Sequence, residues 1–254
     1  MTPVELLAFF VLGLALGWLG GLFGIGGGIF AIPILGLAFG LNQQQAQGTA
    51  LVMIVPTVLI GAYQYWRRGG MNARIALLLA VTAAPMTFLF ARIAVALPSA
   101  PLRRGFAVFL IAIAVYYAWR AYAESRTERN EITLPWPLTG LVGVLGGILS
   151  GIFTVGGAVF STPLLTLAFG MSQTVAQGLG LALVIPGLVV GLIVYGAAGD
   201  VHLPIGLALA AGSVLTVSSG VAYAHRLPER TLKYAFAAFM ALAGLLLWIK
   251  AAAV

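Results

Sequence analysis

Apolar and polar positions divide this chain into long apolar runs joined by short polar connections. The runs lie at about 4–23, 28–40, 45–66, 74–97 and 102–122, and again at about 134–153, 157–170, 175–198, 203–225 and 231–250. Most are about 20 residues long, enough to cross ~30 Å of hydrocarbon as helix at ~1.5 Å per residue. They do not alternate with period two, so the strands of a membrane barrel are not indicated. The pattern predicts an all-α integral membrane protein of about ten transmembrane or partly spanning helices. A polar stretch at 124–131 separates two halves, 1–123 and 132–254.

Two runs, 28–40 and 157–170, are too short to span. Each opens on a glycine cluster, Gly20-Gly21-Leu22-Phe23-Gly24-Ile25-Gly26-Gly27-Gly28 and Gly151-Ile152-Phe153-Thr154-Val155-Gly156-Gly157, and each ends in Ala-Phe-Gly. Sliding the chain by 130 positions aligns 21–61 with 151–191, and 18 of those 41 residues are identical. Pro33, Gln43, Ala46, Gln47, Gly48 and Pro56 all recur. A period this long is an internal duplication, as in many transporters.

Charge decides how the two copies are oriented. The connection at 67–74 carries Arg67, Arg68 and Arg74, whereas its counterpart at 197–204 has neither Lys nor Arg. By the positive-inside rule the first is cytoplasmic and the second is not, so two repeats of five passes are inverted. The linker and the loop at 225–230 then fall inside and both termini outside, with Arg103-Arg104 as the one misfit. Four passes per half would put the contrasting loops on one side. Trp66, Trp119, Trp136 and Trp248 lie near run ends, as an aromatic belt requires. Trp18 lies inside a run, where it either packs in the core or lines a substrate path.

Composition agrees. The chain is 61% hydrophobic and 7% charged, with mean hydropathy +1.08, far below the ~25% charge of soluble domains. Its net charge of +7 sits in the connections and does not indicate nucleic acid. The chain has no cysteine, which excludes disulfides and thiolate chemistry. Residues 1–19 lack a basic n-region and read as a retained first helix, not a cleaved signal peptide.

The glycine clusters carry the candidate chemistry. Adjacent glycines disfavour continuous helix by ~1 kcal/mol each, and lipid does not tolerate the freed backbone, so the breaks must face protein or a water-filled cavity. A helix starting there offers unpaired N–H groups and a positive dipole end, which favour an anion. Candidate substrate-binding residues are therefore Gly26, Gly27, Gly28, Gly156 and Gly157. Gln47 and Gln177 are donors to an oxyanion, with a capping or interfacial role as the competing reading. Thr49, Thr154, Ser161 and Thr162 complete the set, each with backbone satisfaction as the alternative. Gly13, Gly17 and Gly20, at helical spacing, suit close helix packing. No Asp or Glu lies mid-run, and no catalytic residue, metal cluster or cofactor is expected.

The duplicated Gly-x-Gly-Gly-Gly-x-x-x-x-Pro segment at 24–33, its degenerate copy at 154–163 and the Ala-Gln-Gly elements at 46–48 and 176–178 resemble the sulfite exporter TauE/SafE family of membrane permeases. The resemblance implies transport of small sulfur-containing anions such as sulfite, thiosulfate or sulfoacetate. It also implies no enzymatic activity and a prokaryotic inner-membrane location. The expected partners are a small anion and the lipid bilayer, with a homo-oligomer left open and no nucleic acid. The leading reading is an alternating-access anion transporter. A passive anion or small-solute channel is the alternative, and a membrane enzyme or assembly subunit the third.

Overall fold

A computed structural model describes residues 2–67, 71–123, 134–224 and 229–252. The linker at 124–131, Arg68 and the loop at 225–228 lie outside them. The described residues form ten α-helices: α1 (Pro3–Phe23), α2 (Gly28–Ala38), α3 (Gln43–Arg67), α4 (Ala73–Ala96), α5 (Ser99–Ala123), α6 (Thr139–Phe153), α7 (Gly156–Ala168), α8 (Gln173–Ala197), α9 (Leu203–Ala224) and α10 (Glu229–Ala252). Eight are long and apolar enough to cross a membrane, α6 when counted with the 3₁₀ turn Trp136–Leu138 that precedes it. The remaining two, α2 and α7, are the short ones.

Local signals set the ends. Thr2 and Glu5 form a capping box at the start of α1, the Thr2 hydroxyl accepting from Glu5 N and the Glu5 carboxylate from Thr2 N. Asn42 and Gln45 exchange the same pair of bonds before α3. Asn72 and Ser172 cap α4 and α8. Such caps satisfy donors that a helix N-terminus leaves open.

The first glycine cluster reverses the chain. Gly24 ends α1 in the left-handed region at φ 66°, followed by Gly26 at 75° and Gly27 at 79°. A side chain is strained at such angles. Gly27 lies back against the backbone of Leu16 and Gly20, so α2 returns along α1. Residues 24–33 are all buried. The run 4–40 is thus a hairpin whose turn is enclosed by protein, as the cost of bare backbone in lipid demands.

The outer helices brace the opposite half. Gly13, Gly17 and Gly21 of α1 seat the backbones of Leu209, Ser213 and Val217 of α9. Gly143, Gly147 and Gly151 of α6 do the same with Leu79, Ala83 and Thr87 of α4. Numbers rise together in both seams, so both pairs are parallel. Rings repeat the exchange: Phe236 of α10 packs on Phe23 at 5.1 Å, and Phe106 of α5 on Phe153 at 5.5 Å. Lys250 of α10 donates to Gly36 O at 2.7 Å, placing a cation at the C-terminal end of α2. Close backbone approach and hydrogen bonds of this kind hold helices together where lipid is as apolar as the side chains.

The four tryptophans at run ends, Trp66, Trp119, Trp136 and Trp248, are exposed, as lipid-facing belt residues would be. Trp18 packs its ring on Tyr223. Of the misfit arginines, Arg104 donates twice to Ala251 O near the end of α10, and Arg103 is buried.

The seam predicts a contrast between two glycines. A Cβ at Gly17 would enter the backbone of Ser213, whereas one at Gly196 meets nothing within 4 Å. Gly17→Ala is expected to lower stability in detergent by ~1–3 kcal/mol. Gly196→Ala is expected to leave it unchanged or slightly higher, both read from thermal unfolding.

Candidate functional site

Helices α3 and α8 form the centre of the bundle. Two hydrogen bonds set their register: Tyr195 OH donates to Gln47 Oε1 at 2.6 Å, and Tyr65 OH to Gln177 Oε1 at 2.9 Å. The helices are therefore antiparallel, and Pro56 and Pro186 fall opposite each other midway. Both hairpins turn against this midpoint. The Thr57 hydroxyl lies 3.1 Å from Gly26 O, and its one proton is shared with Met53 O at 3.0 Å and Ile54 O at 2.8 Å in its own helix. A Cβ on Gly28 would collide with Ile54 of α3 and with Val155 of the second hairpin. The N-termini of α2 and α7 thus converge at one place.

Convergence concentrates two positive helix ends. The first N–H groups of each helix have no intrahelical acceptor, and the Gly27 carbonyl already starts the α2 ladder by accepting from Phe30 and Ala31. Ser150 adds a donor. Its side chain is buried, its Oγ has no partner among the described residues, and it lies against Gly157 at the start of α7. Sequence reasoning missed Ser150 because its repeat counterpart is Gly20, so the duplication gave no signal.

The predicted residues divide into two groups. Gly26, Gly27, Gly28, Gly156 and Gly157 lie at the convergence. Ser161 and Thr162 both donate to Ala158 O, at 3.4 and 2.9 Å, and so serve their own helix. Thr154 donates to Phe153 O at 2.6 Å. Thr49 accepts from His202 N at 3.1 Å and ties the start of α3 to the start of α9. Gln47 and Gln177 are not brought together. Each faces the tyrosine at the far end of the other's helix, so they lie about 27 Å apart along α3 at ~1.5 Å per residue. Tyr65 and Tyr195, their partners, went unnoticed. They are also 130 positions apart but lie just beyond the aligned window of 21–61 and 151–191.

The two ends differ. At the Tyr195 end, Gln47 and Tyr195 are fully buried, and Gln47 Nε2 also donates to Ile152 O at 3.2 Å. Asp200, in the nearby α8–α9 connection, has its carboxyl held above the usual range by partial burial, with His202 opposing the shift. At the Tyr65 end, Gln177 is only half-buried, and a narrow cleft lined by Gly24, Tyr65, Gly61 and Leu181 reaches Gly26 and Thr57. His/Asp/Glu groupings able to hold a metal do not occur among the described residues.

Relatives share this chain nearly end to end. The family described as Sulfite exporter TauE/SafE matches residues 9–247. The chain belongs to this family. A Bacillus subtilis protein named "Probable membrane transporter protein YdhB" is 30% identical over 244 residues, covering 95% of this chain and 98% of the relative. "Probable membrane transporter protein MJ0441" of Methanocaldococcus jannaschii is 27% identical, with 92% of each chain covered. A Haemophilus influenzae protein, "Probable membrane transporter protein", is 28% identical, covering 94% of this chain and 97% of its own. This TauE/SafE member is a multi-pass membrane protein of a transporter family, and the likeness points to transport and not to catalysis.

One residue of the second hairpin is strained. Thr154 sits at φ 63°, where its repeat counterpart Gly24 sits at 66°. A β-branched residue in that region costs ~1–3 kcal/mol. Thr154→Gly is therefore expected to raise stability in detergent by ~1 kcal/mol, seen as a higher thermal midpoint.

Proposed function

We propose that this protein carries small sulfur-containing anions, such as sulfite, thiosulfate or an organosulfonate like sulfoacetate, by alternating access between two inverted repeats. The observation that carries the reading is the meeting of the α2 and α7 N-termini at Gly28 and Val155. An oxyanion has several acceptor oxygens and can take N–H donors from both helices at once. The Ser150 hydroxyl is a further donor. These donors are all neutral. They hold an anion through dipoles and hydrogen bonds without a fixed counter-charge, which suits a site that must release its cargo. Half-helices meeting near the bilayer midplane are a recurrent way to build such a site. The antiparallel register of α3 and α8 supports the inverted arrangement. The inner membrane is the proposed location.

A carrier is the leading reading and a passive channel the alternative, which counterflow separates. A cleft at the Tyr65 end is lined by Gly26 and Thr57, and Tyr195 and Gln47 are buried at the other end. With no carboxylate in the middle of a span, coupling through the protonation state of the anion itself is the simplest scheme.

Counterflow in proteoliposomes tests this. Sulfite, thiosulfate or sulfoacetate inside the vesicle is expected to accelerate uptake of the labelled anion, with sulfate and simple carboxylates as comparison substrates. Linear uptake without trans-stimulation would make the protein a channel, and no uptake of any of these anions would overturn the substrate class. Leucine at Gly27 is a poor probe, because φ is 79° and a Cβ there lies 2.7 Å from Leu16 O. Thr57→Val keeps the shape and removes a hydroxyl within hydrogen-bond reach of Gly26 O. It is expected to slow counterflow roughly tenfold, equivalent to ~1.4 kcal/mol, about one hydrogen bond.

A further inference from the structure

Helices α5 and α10 carry cations at matching places. Arg103 and Arg120 of α5 correspond across the 130-residue offset to Lys233 and Lys250 of α10. Beside α2 the place is closed. Lys250 Nζ donates to Gly36 O at 2.7 Å, and Leu247, fully buried, lies against Gly36. Beside α7 the same place is a cleft between α5, α7 and α10. It is lined by Tyr116, Tyr117, Arg120, Pro163, Thr166 and Lys233. Leu246 and Leu247 are the repeat counterparts of the two tyrosines, and Gly36 is the counterpart of Thr166. Two phenols therefore stand beside two cations where the other half has leucine. Lys233 is buried, and Arg120 Nη1 reaches Tyr116 OH at 3.5 Å. Tyr117 is fixed by its ring, edge-on to Phe236 at 4.9 Å, and its hydroxyl makes no hydrogen bond among the described residues. Thr166 donates to Pro163 O at 2.9 Å and so serves its own helix.

We propose that this cleft is a second anion site, apart from the convergence of α2 and α7, and that it takes the phosphate group of an anionic phospholipid or the same group free in solution. Two cations on one cleft repel, and an oxyanion between them removes that cost. The described residues of the lining include no carboxylate to do so. A guanidinium carries five N–H donors and an ammonium three, so each can hold its neighbours and an oxyanion together. The Tyr117 hydroxyl adds a neutral donor. Depth suits a headgroup. Arg120 and Lys233 lie about one turn from the ends of α5 and α10, and Trp119, in the same turn as Arg120, is exposed as an interfacial tryptophan would be. This is the end that the charge pattern places in the cytoplasm, where basic pockets between membrane helices take anionic headgroups. The site is independent of which anion is transported.

Thermal unfolding of the full chain in a neutral detergent tests the site with three additives: dioleoylphosphatidylglycerol, dioleoylphosphatidylcholine and inorganic phosphate. The anionic lipid is expected to raise the unfolding midpoint by about 3 °C over the zwitterionic one. Lys233→Gln and Arg120→Gln are expected to abolish that difference. Tyr117→Phe keeps the ring on Phe236 and is expected to at least halve it, which decides the matter should the cation variants fail to fold. Lys250→Gln also removes one positive charge, but at α2, and is expected to keep the full difference. A midpoint raised by inorganic phosphate and not by the lipid, with the effect lost in Lys233→Gln or Tyr117→Phe, assigns the cleft to a free anion. No shift with either ligand overturns the proposal. So does a shift that survives in Lys233→Gln, Arg120→Gln and Tyr117→Phe alike, or one that Lys250→Gln removes equally, since that is attraction to net charge and not to this cleft.

Discussion

Everything in this structure depends on where broken backbone can be placed inside a membrane. Each hairpin frees N–H and C=O groups that hydrocarbon cannot satisfy. The fold meets this by enclosing both turns between α3, α8 and the outer helices. The Thr57 hydroxyl lies within hydrogen-bond reach of Gly26 O, the Gly24 N–H closes on Gly20 and Gly21, and Lys250 covers the carbonyls at the far end of α2. Helix N-termini leave their first N–H groups without intrahelical partners, and those of α2 and α7 are the ends on which the proposed site rests.

Enclosure also explains the interlocked halves. A five-helix repeat alone would leave its hairpin facing lipid. In this chain α9 and α10 brace the first hairpin, and α4 and α5 brace the second. Glycine seams make the bracing close enough to count, since Gly17 and Gly147 admit the very backbone of Ser213 and Ala83. Packing, not hydrophobicity, is the attractive force there, because each helix is as apolar as the lipid it leaves.

The two ends of the central helix pair share their parts but differ in burial. Gln47 is fully used and buried, and Gln177 is half-buried beside a cleft. A duplicated sequence folded into a strictly symmetric object would leave both ends alike. Here both ends keep the tyrosine–glutamine bond, and they differ in the burial of the glutamine and in the further bond of Gln47 to Ile152 O.

The sequence by itself determined the number and extent of the helices, because long apolar runs, caps and glycine clusters are local signals. It also located the two breaks and the duplication, and the buried turn at 24–27 lies where the glycines stand. It left undecided which helices touch. In lipid a helix is apolar on every side, so periodicity does not say which face meets α9 and which meets solvent-like hydrocarbon. Only the tertiary structure paired α1 with α9 and α4 with α6. It alone set Gln47 and Gln177 at opposite ends, because the antiparallel register of α3 and α8 sends equivalent residues apart and brings each to the other half's tyrosine. Ser150 and the Tyr65–Gln177 and Tyr195–Gln47 pairs depend on residues more than a hundred positions apart or unmatched in the repeat, and no local pattern encodes them.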